Sequence, residues 1–184
     1  MEKILKNILV IFIIILLFWV FFNSIGEYIV DSEKNNNENI EKNENKKIEV
    51  KFYSSIDGDT AKFILDKEII KVRFLGVDTP ETPESPRGEG AFWKEASEFT
   101  KEKLENAKKI EIEYDENAAK KDKYDRVLAW VWVDNSLLQE ELVYNGFAKT
   151  YMLQDDYKYS ENLRDAQNNA KNKKLKIWSE KVEK

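Results

Sequence analysis

Short alternating runs of apolar and polar residues, separated by turn sequences, constrain this fold more than any other feature of the sequence. The alternation begins at Ile48, Val50 and Phe52, with the two-residue period of a strand that has one buried face. Two more strands are predicted over 60–65 and 69–75, joined by a short charged turn. The same alternation returns in two later segments: Ile110, Ile112 and Tyr114, and then Leu128, Trp130 and Trp132.

Three other segments carry the spacing of helices. Residues 89–107 form an amphipathic pattern, and residues 137–144 end at Asn145-Gly146, a favourable helix C-cap. Residues 160–174 form the last helix. The predicted order β-β-β-α-β-β-α-α indicates an α+β fold, a small antiparallel barrel with helices packed around it.

The N-terminus carries an unbroken apolar run over 8–22, preceded by two lysines. This arrangement predicts that the chain crosses or enters a membrane and that the domain lies outside the cytoplasm. The run is short for a spanning helix, which needs about 20 residues, and Ser24 and Gly26 would suit a cleaved signal peptide. We expect residues 1–30 to be an uncleaved membrane anchor rather than a cleaved signal. If the segment is cleaved, the protein is secreted.

The segment after the apolar run is rich in Asn, Glu and Lys and has one aliphatic residue over 31–47. Such a composition buries too little apolar surface to offset the entropy of ordering, so this segment is predicted to be a flexible linker. The globular domain is then expected over 48–184. Nothing in the pattern implies a protein partner, and a monomer is expected.

Two residue types are missing from the sequence, and their absence limits the chemistry. There is no His and no Cys, which excludes imidazole bases, His-ligated zinc, thiol nucleophiles and disulfides. Any catalysis must therefore use carboxylates, Lys, Arg, Tyr, hydroxyls or a hard metal ion. The net charge is −5, from 30 basic and 35 acidic residues, so a nucleic-acid ligand would have to be attracted by a local basic cleft.

Three carboxylates lie at predicted strand ends or loops: Asp59, Asp78 and Glu81. Taken alone, Asp57-Gly58-Asp59 is an ordinary turn signal. Hard cations bind carboxylate and carbonyl oxygens together with water, and a retained water is the nucleophile that hydrolysis needs. Two aspartates that converge from different strands would therefore make an open metal site.

Two arginines complete the pattern. Strand alternation turns Arg73 out of the core, and Arg126 follows Lys123 and Tyr124 in a charged segment. Read alone, that segment is a charged surface loop. Two guanidinium groups around one phosphate would neutralise the charge that develops in the transition state.

Four segments in order make this chain resemble the thermonuclease family of staphylococcal-nuclease type: IDGDT at 56–60, VRFLGVDTPET at 72–82, KYDR at 123–126 and KIWS at 176–179. The resemblance covers about 48–179. It implies a five-stranded OB-fold barrel with three helices and Ca²⁺-dependent endonucleolytic hydrolysis of DNA and RNA. The products would carry 3′-phosphates and 5′-hydroxyls.

The resemblance also implies a role for each matching residue. Asp59 and Asp78 would bind Ca²⁺ through their carboxylates, and Thr79 through its carbonyl. Arg73, Glu81 and Arg126 would be catalytic: the arginines hold the scissile phosphate, and Glu81 positions or deprotonates the attacking water. Three residues would contact the nucleotide: Lys123, Tyr124 and Tyr151. Asp57 would contact the metal ligands without binding the metal itself.

Three features leave questions open. Asp125 stands where the family usually has glycine, which puts a negative charge beside the phosphate site. The tyrosine that stacks on the nucleotide is Tyr151, Tyr157 or Tyr159, of which Tyr151 is preferred. The acidic net charge also leaves room for a second hypothesis, a non-catalytic OB-fold module that binds nucleic acid or protein while tethered to the membrane.

Overall fold

The computed structural model describes residues 46–86 and 88–179, together with Phe21. The predicted anchor over 1–30 lies outside the described residues, except for Phe21. The predicted linker over 31–47 also lies outside them, except for its last two residues. Among the residues described, no helix is both long enough and apolar enough to cross a bilayer.

The strands of the described region fall into a main barrel and three short pairing segments. In chain order they are β1 (Ile48–Ser55), β2 (Thr60–Leu65), β3 (Glu68–Phe74), β4 (Val77–Asp78), β5 (Ile110–Glu113), β6 (Val127–Val133), β7 (Ser136–Leu137) and β8 (Lys149–Thr150). The barrel uses β1, β2, β3, β5 and β6, in the order β3-β2-β1-β5-β6, and a β3–β6 pairing closes it. This confirms the predicted five-stranded barrel.

One part of the barrel prediction is wrong. The barrel was expected to be antiparallel, but β3 and β6 run parallel, with Val72 opposite Val127 and Phe74 opposite Ala129. The first strands follow each other through tight turns and must be antiparallel, whereas β3 and β6 are separated by a helix and two further strands, β4 and β5. That long connection lets the closing pair run in the same direction.

The β2–β3 hairpin has a two-residue turn in which Asp66 and Lys67 have φ values of 50° and 71°. Positive φ at both central residues is the type I′ geometry, whose twist matches that of the strands. Because the turn takes only these two residues, β3 begins at Glu68, one residue before the predicted 69–75. The strand also ends one residue earlier, at Phe74. Val72 and Phe74 are buried as predicted, and Arg73 points out of the core between them.

Three α-helices lie within the described residues: α1 (Trp93–Glu105), α2 (Leu138–Tyr144) and α3 (Ser160–Asn172). A 3₁₀ turn over Lys176–Trp178 follows α3. This confirms the three predicted helices. The predicted start of the first helix at residue 89 is wrong, because Phe92 has a φ of 67° and Gly90 is pressed against Pro80. A left-handed residue cannot continue an α-helix.

Strand β6 is buried on both faces, whereas simple alternation of Leu128, Trp130 and Trp132 was expected. Val131 and Trp130 are both 0% exposed, one on each face. The indole Nε1 of Trp130 donates a hydrogen bond to Asp115 Oδ2 at 2.8 Å, and its ring packs edge-on against Tyr159. Trp130 therefore packs in the interior of the fold.

Candidate active site

The turn between β1 and β2 carries the first carboxylates. The backbone N–H of Asp59 donates to Asp57 Oδ1 at 3.0 Å, which fixes the turn. A Cβ at Gly58 would lie 2.8 Å from two side-chain atoms of Thr79, so only glycine allows this turn to approach the loop after β4. The hydroxyl of Thr100 in α1 donates to the Gly58 carbonyl at 2.6 Å. Helix α1 therefore holds the β1–β2 turn in position through this hydrogen bond.

Arg73 joins the two aspartates that the sequence places 19 residues apart. Its Nε lies 3.1 Å from Asp59 Oδ1, and its Nη2 lies 3.2 Å from Asp78 Oδ1. Its Nη1 donates to the backbone carbonyls of Phe74 and Val77 at 2.8 and 2.7 Å. The guanidinium is therefore fixed in orientation by four acceptors, and the two carboxylates converge on one side of it.

The loop after β3 is fixed to the turn by a second set of contacts. Asp59 Oδ2 accepts from the backbone N–H of Thr79 at 2.8 Å and from its hydroxyl at 3.1 Å. The short pair β4–β8 places Asp78 opposite Lys149, whose Nζ lies 3.5 Å from Asp78 Oδ2. The Glu81 carbonyl accepts from the N–H of Gly90 at 2.9 Å. Asp59, Asp78 and Thr79 are all buried.

Negative charge is concentrated at this site. Burial, and next the charge of Asp59, raise the pKa of Asp57 from 3.8 to about 6. The hydrogen bonds from Asp59 and Thr60 and the charge of Arg73 act in the opposite direction and do not cancel the increase. A raised carboxyl pKa is the expected response when two buried carboxylates lie close together.

The donors at this site fit a hard divalent cation. The two converging side chains, Asp59 and Asp78, offer carboxylate oxygens, which are the donors that hard cations bind. Among the described residues no three acidic side chains form a metal-binding cluster. A cation held by two carboxylates and a backbone carbonyl would keep several waters, as Ca²⁺ and Mg²⁺ do.

The second arginine is held by its own loop. Asp122 Oδ2 accepts from Arg126 Nε at 2.7 Å, and Asp122 Oδ1 accepts from the backbone N–H groups of Tyr124 and Arg126 at 2.9 and 3.0 Å. Burial disfavours the Asp122 anion, but the hydrogen bonds from Arg126 and Tyr124 outweigh it and lower the pKa of this carboxyl. Asp122 is thus ionised, and its carboxylate holds the Arg126 side chain in position.

Asp125, the departure from the family's glycine, adopts a φ of 61°. This left-handed conformation explains why glycine is common there, and Asp tolerates it better than most residues. Its carboxylate contacts Lys121 Nζ at 2.8 Å, and Asp125 does not line the cavity beside Arg126. The added negative charge is therefore offset by a neighbouring lysine.

All nine candidate site residues line one open cavity of about 780 Å³. They are Asp59, Arg73, Asp78, Thr79, Glu81, Lys123, Tyr124, Arg126 and Tyr151. Tyr124 and Tyr151 are exposed, and so is the neighbouring Met152. The cavity thus combines buried carboxylates, two guanidinium groups and exposed aromatic rings.

The three candidate tyrosines have different surroundings. Tyr151 and Tyr157 line the cavity, whereas Tyr159 does not. The Tyr159 hydroxyl donates to Glu113 Oε2 at 2.9 Å, and burial followed by this hydrogen bond raises the pKa of Tyr159. Burial also raises the pKa of Tyr157. Tyr159 therefore belongs to the packing around Trp130.

The sequence reasoning missed three residues that hold the site together: Thr100, Asp122 and Lys149. Asp122 directly precedes the KYDR segment, and its spacing of four residues before Arg126 was a usable signal for an ion pair. Thr100 and Lys149 reach the site only through tertiary contacts, and nothing local in the sequence points to them.

The described residues thus form a closed five-stranded barrel with buried carboxylates and two arginines in one cavity, the class of small-barrel α+β protein that the comparisons below identify. A family model described as "Staphylococcal nuclease homologue" matches residues 71–180. Curated proteins similar to this chain include three nucleases. The Thermonuclease of Staphylococcus hyicus is 40% identical over 124 residues, which are 67% of this chain and 72% of that protein.

Endonuclease YncB of Bacillus subtilis (strain 168) is 39% identical over 139 residues, 75% of this chain and 65% of that protein. The SPbeta prophage-derived endonuclease YokF of the same organism is 35% identical over 133 residues, 72% of this chain and 44% of that protein. The chain belongs to the staphylococcal nuclease family and is an enzyme of the thermonuclease type.

Proposed function

We propose that this protein is a Ca²⁺-dependent endonuclease that hydrolyses phosphodiester bonds of DNA and RNA. The observation that carries the proposal is the convergence of Asp59 and Asp78 on Arg73, in the same cavity as Arg126. This arrangement offers a cation site beside two fixed guanidinium groups. A phosphate diester needs both, because negative charge increases on its oxygens in the transition state.

In this proposal Asp59 and Asp78 hold Ca²⁺ through carboxylate oxygens, and Thr79 through its backbone carbonyl. When bound, the cation would polarise the phosphate and lower the pKa of a coordinated water. Asp57 supports the ligands by accepting the N–H of Asp59. The raised pKa of Asp57 is expected to fall on metal binding, because a nearby cation favours the ionised carboxylate.

The chain's own residues orient the substrate. Arg73 is fixed by its backbone and carboxylate acceptors, and Arg126 is fixed by Asp122. Arg73 keeps one N–H and Arg126 keeps more than one to place on the phosphate oxygens. We assign to Glu81, which lines the same cavity, the role of positioning or deprotonating the attacking water.

Three residues are proposed to contact the nucleotide: Lys123, Tyr124 and Tyr151. The exposure of both tyrosines supports this, since a base can stack on an exposed ring at the cavity rim. Lys123 lies beside Tyr124, with its Nζ 5.0 Å from the ring centre. The cleavage products would carry 3′-phosphates and 5′-hydroxyls.

The test is an assay of the full-length protein on plasmid DNA, denatured DNA and RNA, with Ca²⁺ and with a chelator. The proposal expects internal cleavage in Ca²⁺ and none in chelator. Oligonucleotide binding in chelator, with no cleavage in Ca²⁺ at any pH tested, would instead favour the non-catalytic binding module. That alternative draws support from the acidic net charge.

We further propose that residues 8–22 anchor the protein in the cell membrane with the nuclease domain outside the cytoplasm, and that the protein is monomeric. The apolar run and the lysines before it support the anchor. N-terminal sequencing of the exported protein tests it. A mature protein starting at Glu27 would show that the segment is a cleaved signal and that the protein is secreted.

A further inference from the structure

Three lysines lie on the outer surface of the first barrel strands. In β2 and β3 the buried Phe63 and Val72 alternate with Lys62 and Lys71, which places both lysines outside the barrel. The register sets Lys62 directly opposite Lys71. Lys51 is exposed on β1, which pairs with β2. The three charges therefore lie on one continuous sheet surface.

Apolar and aromatic residues lie among these lysines. Tyr53 and Ile69 are each 53% exposed, and Ile64 pairs with both Lys51 and Ile69 in the register. Tyr53 falls at the point where the β1–β2 register shifts. We name this surface the lysine face and define it by six residues: Lys51, Tyr53, Lys62, Ile64, Ile69 and Lys71.

The charges of the lysine face are not compensated within the barrel. Like charges directly opposite each other on neighbouring strands are destabilising, yet Lys62 faces Lys71. Among the described residues, no carboxylate lies within ion-pair distance of any lysine of this face. Some lysines elsewhere do have an ion-pair partner, as Lys109 has Glu111. Folding gains nothing from the two like charges that lie opposite each other on β2 and β3.

The lysine face leads directly to the cavity. Lys71 and Arg73 lie on the same side of β3, about 7 Å apart along the strand at the usual rise per residue. The Lys62–Lys71 pair follows the Thr60–Arg73 pair in the β2–β3 register. A strand whose scissile phosphate lies at Arg73 would therefore meet the lysines next if it continued along β3.

We propose that the lysine face binds the single-stranded nucleic acid that flanks the scissile phosphate. The inference rests on the proposed nuclease function and extends it to substrate length. Lysines neutralise backbone phosphates without reading sequence, and Tyr53 offers an exposed ring for base stacking. The lysine face would thus add phosphate contacts for substrates that extend beyond the cavity, in spite of the acidic net charge.

The experiment compares the full-length wild-type protein with the double variant Lys62→Gln/Lys71→Gln. The matched control is Lys94→Gln/Lys108→Gln, which removes the same charge from exposed lysines of α1 and the segment after it. Two quantities are measured. The first is KM for cleavage of a thirty-nucleotide strand, compared with KM for a dinucleotide. The second is the binding constant for a cleavage-resistant strand in chelator at several salt concentrations. Thermal unfolding shows whether each variant is folded.

The proposal expects KM for the long strand to rise on the order of tenfold at low salt, and by more than KM for the dinucleotide. The plot of log binding constant against log salt concentration should become shallower by about 1.4, from two lost phosphate contacts on a single strand. An unchanged slope, an equal change for both substrates, or an equal loss in the control overturns the proposal.

The binding readout separates this proposal from the proposed function. A shallower salt slope in a protein that cleaves nothing would support the lysine face and remove the nuclease assignment. Anionic lipid is the competing ligand for a surface of this composition. If the double variant loses binding to vesicles of mixed neutral and anionic phospholipid but keeps the wild-type salt slope for the oligonucleotide, the face contacts membrane and the proposal is overturned.

Discussion

Arg73 contacts four protein acceptors through three nitrogens, which a lysine side chain cannot reproduce. Arg126 is similarly held by Asp122. We expect Arg73→Lys and Arg126→Lys each to lower kcat by about a hundredfold or more, the cost of losing a fixed donor to a developing charge. Steady-state kinetics on denatured DNA measures this.

The matched control for these substitutions is Arg164→Lys. Arg164 forms an exposed ion pair with Asp155 away from the cavity, so its replacement should leave kcat near the wild-type value. Near-normal turnover in both Arg73→Lys and Arg126→Lys would contradict a role for the fixed guanidinium donors.

The raised pKa of Asp57 predicts how stability depends on pH. The folded protein holds this proton up to about pH 6, whereas the unfolded chain releases it near 3.8. Because the folded state binds more protons between those values, the contribution of Asp57 is favourable below about pH 4. It is lost as the pH rises to about 6, by at most about 3 kcal/mol for such a shift.

Urea unfolding of the wild-type protein and Asp57→Asn in chelator, from pH 4 to pH 7, tests this prediction. The free energy of unfolding of the wild type should fall relative to that of the variant across this range. A difference between the two proteins that does not vary with pH would show that Asp57 titrates normally in the fold.

At the scale of elements, helix α1 matters because it supports the turn that carries Asp59. The buried hydroxyl of Thr100 is the contact between them. We expect Thr100→Val to leave the Gly58 carbonyl unpaired and to cost about 1–3 kcal/mol of stability. Nuclease activity should fall with it, because the turn can then shift. Urea unfolding and the DNA assay measure the two effects.

Glu102→Gln on the exposed side of α1 is the control and should change neither quantity. If Thr100→Val is as stable and as active as the wild type, the helix does not position the turn. If it is less stable but fully active, the contact serves folding alone.

The strands could be predicted because each has its own local pattern. The β2–β3 hairpin was visible in the alternation on either side of a short charged turn, and Arg73 was correctly placed outside the core. Strand β6 was misread because both of its faces are buried, one in the barrel and one beneath Tyr159. The start of α1 was missed because the contact of Gly90 with Pro80 is tertiary.

At the scale of the whole molecule, the barrel brings together residues that the sequence separates widely. Except for Tyr151, each candidate site residue belongs to a short motif near a strand end, where a barrel gathers side chains at one rim, and all nine line one cavity. The parallel closure of β3 on β6 places the Arg126 loop beside Arg73. That pairing has no local signal, so the cavity itself could not be derived from periodicity.

The central claim is that the carboxylates of Asp59 and Asp78 hold a calcium ion that the reaction requires. The most direct measurement is the rate of denatured-DNA hydrolysis as a function of free Ca²⁺ for the wild type and for Asp78→Asn. The wild-type rate should rise from near zero in chelator to a plateau, and the variant should need far more Ca²⁺ or remain inactive. Equal rates in chelator and in Ca²⁺, or overlapping curves for the two proteins, would contradict the claim.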